Sequence, residues 1–279
     1  MYSEIQKTNE ENNRMASVSM CATYKQSSIP IINPSLTTLS PFLRAGNRPE
    51  FIKRAQMAKD AGATTLHLDI FDPRYVDTGG KPSNMDMFVP DLAAELKSTV
   101  GLPIDAHFMV RPSTLGGQNG FDEYLTSFGG AADFISVHIG AFMQDGLSTT
   151  NIFRTLERIR AAGASPGVVI NPDEGPFVAA ELKEAVDFAL AMTVIPGDGG
   201  RGFDKRGVKN IASLASLGFP KLLAADGAIT GETIKAPFDA GARWFVVGSY
   251  WFGKEGAYKT LEEMQAAYRS LGKPFESAV

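Results

Sequence analysis

The feature that most constrains this chain is a repeated alternation. From residue 29 onward, short apolar or β-branched runs take turns with amphipathic stretches of helical spacing, eight times over. The runs are "IPIINPS" ending at Ser35, "TTLHLD" at Asp69, "PIDAHFMV" at Val110, "FISVHI" at Ile139, "PGVVIN" at Asn171, "LAMTVI" at Ile195, "KLLAAD" at Asp226 and "WFVVG" at Gly248. Between them lie helical stretches such as "RPEFIKRAQMAKDAG", "NIFRTLERIRAAG" and "GVKNIASLASLG". Five of these helices end in glycine, at Gly62, Gly101, Gly163, Gly218 and Gly241, where a left-handed cap can hand the chain to the next strand. Alternating strands and helices imply parallel strands with crossover helices. Eight such units in about 250 residues match a (β/α)8 TIM barrel, an α/β fold, better than a doubly wound sheet.

No low-complexity linker divides residues 29–279, which are therefore expected to form a single barrel domain. Residues 1–28 are polar, mix both charge signs and show no sustained periodicity, so they are expected to be a flexible N-terminal extension. Net charge is -4 and no Lys/Arg-rich run occurs, which argues against a nucleic-acid partner and favours small molecules. Cys21 is the only cysteine, so neither a disulfide framework nor a thiolate metal site is available. No apolar run approaches a bilayer span and the N-terminus lacks the order of a secretory signal, giving a cytoplasmic expectation with no membrane contact.

Side chains alternate along a strand, so His67 and Asp69 face the same way, as do His107 and Met109; in a barrel that way is inward. Active sites of this fold gather at the C-terminal strand ends, where Ser35, Asp69, His107, His138, Asp226 and Ser249 all fall. His67, Asp69, His107 and Asp226 make a set of two imidazoles and two carboxylates suited to one divalent zinc, iron(II) or manganese ion with positions left for substrate. The competing reading makes each histidine a hydrogen-bonded core residue and each aspartate a helix cap. Buried carboxylates without partners are costly, and a cation offsets that cost. "PGDGGRGF", residues 196–203, and Gly248–Ser249 after the last strand suggest an anion cradle of backbone N–H groups, although glycine-rich loops also serve as plain turns.

Taken in order, "NPSLTTLS", "LHLDIFD", "DAHFMV", "MTVIPGDGGRGF", "AADGAIT" and "VVGSYWFG" resemble the ribulose-phosphate 3-epimerases across residues 30–254. The resemblance implies that Asp69 and Asp226 carry protons and that both, with His67 and His107, bind the metal. It also implies that Ser35 and His107 contact the substrate, that Met109 and Met192 line the reacting centre, and that Gly199, Gly200, Gly227, Gly248 and Ser249 bind phosphate. A homo-oligomer is a further implication.

The chemistry is consistent with those residue types. Inverting a carbon beside a ketone needs a base on one face and an acid on the other, with positive charge near the enediolate oxygens. The expected reaction is D-ribulose 5-phosphate to D-xylulose 5-phosphate, with a hexulose 6-phosphate such as allulose 6-phosphate, or a non-catalytic sugar-phosphate-binding barrel, as alternatives. Sugar-phosphate decarboxylases and aldol synthases of similar build carry a lysine where "DIFD" has none. The chain departs from the family pattern at Phe71, in the "DPRYVDTGG" loop, at Ile195 and at Ala228, which stands where a second glycine is usual.

Overall fold

A computed structural model describes residue 15 and residues 20–28, 30–197, 202–219, 221–254 and 257–273. Its eight parallel strands are Ile31–Pro34 (β1), Leu66–Phe71 (β2), Ile104–Met109 (β3), Phe134–His138 (β4), Ser165–Ile170 (β5), Phe188–Met192 (β6), Leu222–Asp226 (β7) and Trp244–Val247 (β8). They follow the spatial order β1-β8-β7-β6-β5-β4-β3-β2, and a parallel bridge between Ser35 and His67 brings β1 back to β2. The expected TIM barrel is thus the observed fold.

Helices lie between successive strands and bury one stripe each. In Arg48–Asp60 the buried residues are Phe51, Ala55 and Ala58, spaced as one helical face. Asn47 accepts the backbone N–H of Glu50 at its start. All five glycines expected to end helices have positive φ; Gly101, at φ 71° and ψ 31°, is the clearest left-handed cap. Two strands end more than one residue from the expected position. β2 runs on to Phe71, because Asn84 and Ser83 hydrogen-bond its last peptide groups from the following loop. β6 stops at Met192, because the Thr193 amide and hydroxyl both turn to the carbonyl of Asp226.

Inside the barrel the packing is layered. Phe134, Phe188 and Trp244 meet edge to face at centroid distances of 5.0–6.1 Å, filling the N-terminal half of the barrel. Gly167 makes room for them: a Cβ there would stand 2.3 Å from the Phe188 ring. Residues 20–25, inside the stretch expected to be an extension, are helical, and Cys21 and Tyr24 are buried in this inner cluster. Tyr24 reaches Trp244 at 6.0 Å. Trp244→Ala should therefore lower stability by about 3–5 kcal/mol, measurable by urea unfolding; an unchanged midpoint would contradict this packing. Among the described residues, no helix is long and apolar enough to cross a membrane.

Candidate active site

Above the aromatic layer the inward positions turn polar. β2 contributes His67 and Asp69, β3 contributes Asp105 and His107, β4 contributes His138, and β7 ends on Asp226. All three histidines are fully buried. Asp69 sits at the centre: its Oδ1 lies 2.9 Å from His67 Nε2 and 3.1 Å from His107 Nδ1, while its Oδ2 accepts the Ser35 hydroxyl at 2.5 Å. Asp226 Oδ2 is 3.7 Å from His107 Nδ1.

The backbone around Asp69 is tied down from both sides. Its N–H donates to Thr37 Oγ1 at 3.1 Å, and its carbonyl accepts Asn84 Nδ2 at 2.7 Å. Asp226 is anchored through its own carbonyl, which accepts the Thr193 amide at 2.6 Å. Two carboxylates are thus held at one spot by strands that are not neighbours.

Burial alone would raise the Asp69 carboxyl, but the charge of His67 and hydrogen bonds with His107 and His67 outweigh it and hold the group well below the ordinary carboxylate range. Burial pushes Asp226 the other way, well above that range, and the negative charge of Asp69 adds to the rise. His107 is lowered by burial, and His138 is lowered further by burial and by His107 beside it. The repulsion felt by Asp226 is the kind a divalent cation offsets.

The donor set fits such an ion. One ligand atom from each of His67, Asp69, His107 and Asp226 lies within 4.8 Å of every other. Atoms sharing an ion at about 2.0–2.2 Å stand up to about 4.4 Å apart, so small side-chain rotations suffice to seat one. The four form a potential metal-binding cluster.

The remaining expected site residues surround this cluster unevenly. Met192 pairs in register with Asp226, and Met109 lies two residues beyond His107 on the same strand; both are buried. Gly227 and Gly248 follow adjacent strand ends and are half-buried, while Ser249 is exposed and begins the short helix Ser249–Phe252. Gly227 has φ 112° and a Cβ would stand 2.4 Å from Val194, so glycine is required there. Ala228 adopts φ 52°, the one positive φ outside glycine among the described residues, at the place where a second glycine is usual in the family it resembles. Gly199 and Gly200 lie outside the described residues.

Sequence reading gave no role to several residues found here. Asp105 Oδ2 meets His67 Nδ1 at 2.7 Å and Asn33 Nδ2 at 2.9 Å, and His138 Nε2 meets His107 Nε2 at 2.7 Å. Asp105 lies two positions before His107, so strand alternation could have placed it on the same inward face. In the loop after β2, Tyr75 packs its ring edge-on to His138 at 5.1 Å and accepts Asn171 Nδ2 at 2.9 Å. Two residues further, Asp77 bridges to Gly197, beyond the end of β6, so this loop crosses the mouth of the barrel. Phe71, at the end of β2, is half-buried.

The family model described as the ribulose-phosphate 3 epimerase family matches residues 38–252. Ribulose-phosphate 3-epimerase of Aquifex aeolicus is 30% identical over 248 residues, covering 86% of this chain and 98% of that protein. The Bacillus subtilis enzyme of that name is 26% identical over 242 residues, covering 85% and 98%. The chloroplastic ribulose-5-phosphate-3-epimerase of Arabidopsis thaliana is 28% identical over 236 residues, covering 83% and 77%. Among solved structures, Mycobacterium tuberculosis tryptophan synthase superposes with a TM-score of 0.61 at 13% identity, over 92% of this chain and 96% of that one, a likeness of fold alone. With the family's model spanning most of the barrel, the chain belongs to the ribulose-phosphate 3-epimerase family and is an isomerase, an epimerase acting on carbohydrates.

Proposed function

We infer that the protein epimerises a ketose phosphate at C3, with D-ribulose 5-phosphate and D-xylulose 5-phosphate as the interconverting pair. The observation that carries this reading is the meeting of Asp69 from β2 and Asp226 from β7 in one buried cluster with two imidazoles. One carboxyl removes the C3 proton from one face and the other delivers a proton to the opposite face. Ser35 and His107 orient the hydroxyl and carbonyl oxygens beside them. His67, Asp69, His107 and Asp226 would hold a zinc, manganese or iron(II) ion, which would supply positive charge beside the substrate oxygens.

Met109 and Met192 are buried next to these groups and offer apolar surface that keeps water from the reacting carbon. The phosphate is assigned to Gly227, Gly248 and Ser249, together with Gly199 and Gly200. Support comes from the neighbouring positions of Gly227 and Gly248 at the ends of β7 and β8. The expected compartment is the cytoplasm, which suits a chain whose one cysteine, Cys21, is buried and unpaired.

The test is isotope entry during turnover. In deuterium oxide, D-ribulose 5-phosphate should gain deuterium at C3 as xylulose 5-phosphate forms; full epimerisation without label would exclude exchange through two acids. A panel of pentulose 5-phosphates and hexulose 6-phosphates, run under the same conditions, should show the pentulose preferred. Preference for allulose 6-phosphate would move the substrate assignment while keeping the chemistry.

A further inference from the structure

His67 and His107 face the cluster through different ring nitrogens, Nε2 and Nδ1 respectively. An imidazole that ligates a cation through one nitrogen must carry its proton on the other, so each ring needs an acceptor on its far side. Both rings have one, and the two acceptors differ in kind.

Behind His67 stands Asp105. Its Oδ2 receives His67 Nδ1 at 2.7 Å and the amide of Asn33 at 2.9 Å. A carboxylate only accepts, so the Nδ1 of His67 bears hydrogen toward Asp105; without a cation Nε2 bears hydrogen toward Asp69 as well, and a cation seated at Nε2 would displace that second proton alone. Behind His107 stands His138, their Nε2 atoms 2.7 Å apart and their rings stacked at 20°. One proton fits between two such nitrogens. Where His107 gives Nδ1 to the cluster, that proton belongs to His107 Nε2 and His138 Nε2 accepts it. His67, His107 and His138 are all fully buried and Asp105 nearly so, so water does not compete for these hydrogen bonds.

We propose that Asp105, braced by Asn33, and His138 are positioning residues that fix the tautomers of His67 and His107, turning Nε2 of the first and Nδ1 of the second toward one cation. This rests on the cation reading given above. The positioning is nonetheless tested apart from it, because the proton positions are read directly.

The chain contains three histidines, and all three belong to this arrangement, so a nitrogen-15 histidine spectrum of the full-length protein holds only three rings. In the zinc-loaded protein His67 should carry its proton on Nδ1, His107 on Nε2 and His138 on Nδ1. Zinc affinity, measured by competition with a chelator, should fall about 10–100-fold in Asp105→Leu and in His138→Leu. Asp105→Asn and His138→Gln keep an acceptor near the same place and should recover most of that loss, which a purely space-filling role would not produce.

A zinc-loaded His67 bare at Nδ1 or His107 bare at Nε2 overturns the proposal, as do leucine variants that bind zinc within about twofold of the parent. Should the leucine variants fail to fold, the spectrum of the parent still decides. If the parent takes up no zinc, the cation reading fails, and a His67 found without a proton on Nδ1 in the metal-free protein would remove the role of Asp105 as well.

Discussion

Asp226→Asn is expected to lower kcat for ketose-phosphate epimerisation about 10³–10⁴-fold, the upper part of the range for losing a positioned proton carrier. The substitution keeps the shape of the side chain and leaves untouched the carbonyl of residue 226, through which Thr193 anchors the end of β7. What it removes is the carboxyl that β7 contributes to the cluster. Stability should move in the opposite direction from activity. Burial and the charge of Asp69 both disfavour an ionised Asp226, so with any ion stripped from both proteins an amide there should melt at the same temperature as the parent or slightly above. A variant that melts normally and turns over within about tenfold of the parent would clear Asp226 of a proton-carrying role.

Prolonged chelation is expected to have the second large effect, a loss of at least about 10²–10³-fold in activity, on the scale of removing one preorganised charge-stabilising group. Zinc, manganese or iron(II) should restore it. The same treatment should lower the melting temperature, because an ion that binds only the native state at about 1,000 times its dissociation constant adds about 4 kcal/mol to stability. The loss has a structural origin as well: Asp69 and Asp226 repel one another in the cluster, and an ion between them would offset that repulsion. Full activity after exhaustive chelation, with metal content verified as nil, would take the ion out of the chemistry.

How much of this could be read along the chain depends on whether the cause is local. Strand–helix alternation and the glycine caps are local, since a period of two or 3.6 residues and a left-handed cap need only near neighbours, and all eight units appear in the fold. The His67/Asp69 pair was visible for the same reason: two positions apart on a strand means one face. Asp105 shares that spacing with His107, but its meaning depends on His67 and Asn33, which are 38 and 72 positions away. The end of β6 depends likewise on Thr193 bonding to residues of β7, a nonlocal event.

The segment before residue 29 shows the same limit. Its polarity and lack of sustained periodicity suggest an extension, yet Cys21 and Tyr24, three residues apart on a short helix, are buried with Phe134, Phe188 and Trp244. The loop after β2 offers no periodic signal at all. Its path over the mouth follows from contacts of Asp72 with Thr114, of Tyr75 with Asn171 and of Asp77 with Gly197, each of which joins distant parts of the chain.

The aromatic layer and Tyr24 make the barrel a cup instead of a tube. Among the described residues these rings are buried and close its base, so on the proposed function sugar, water and any solvent hydrogen that ends on the product would come and go past the rim that the Asp77–Gly197 bridge spans. On that reading, passage at the rim would set how freely the acids within trade hydrogen with the surrounding solvent.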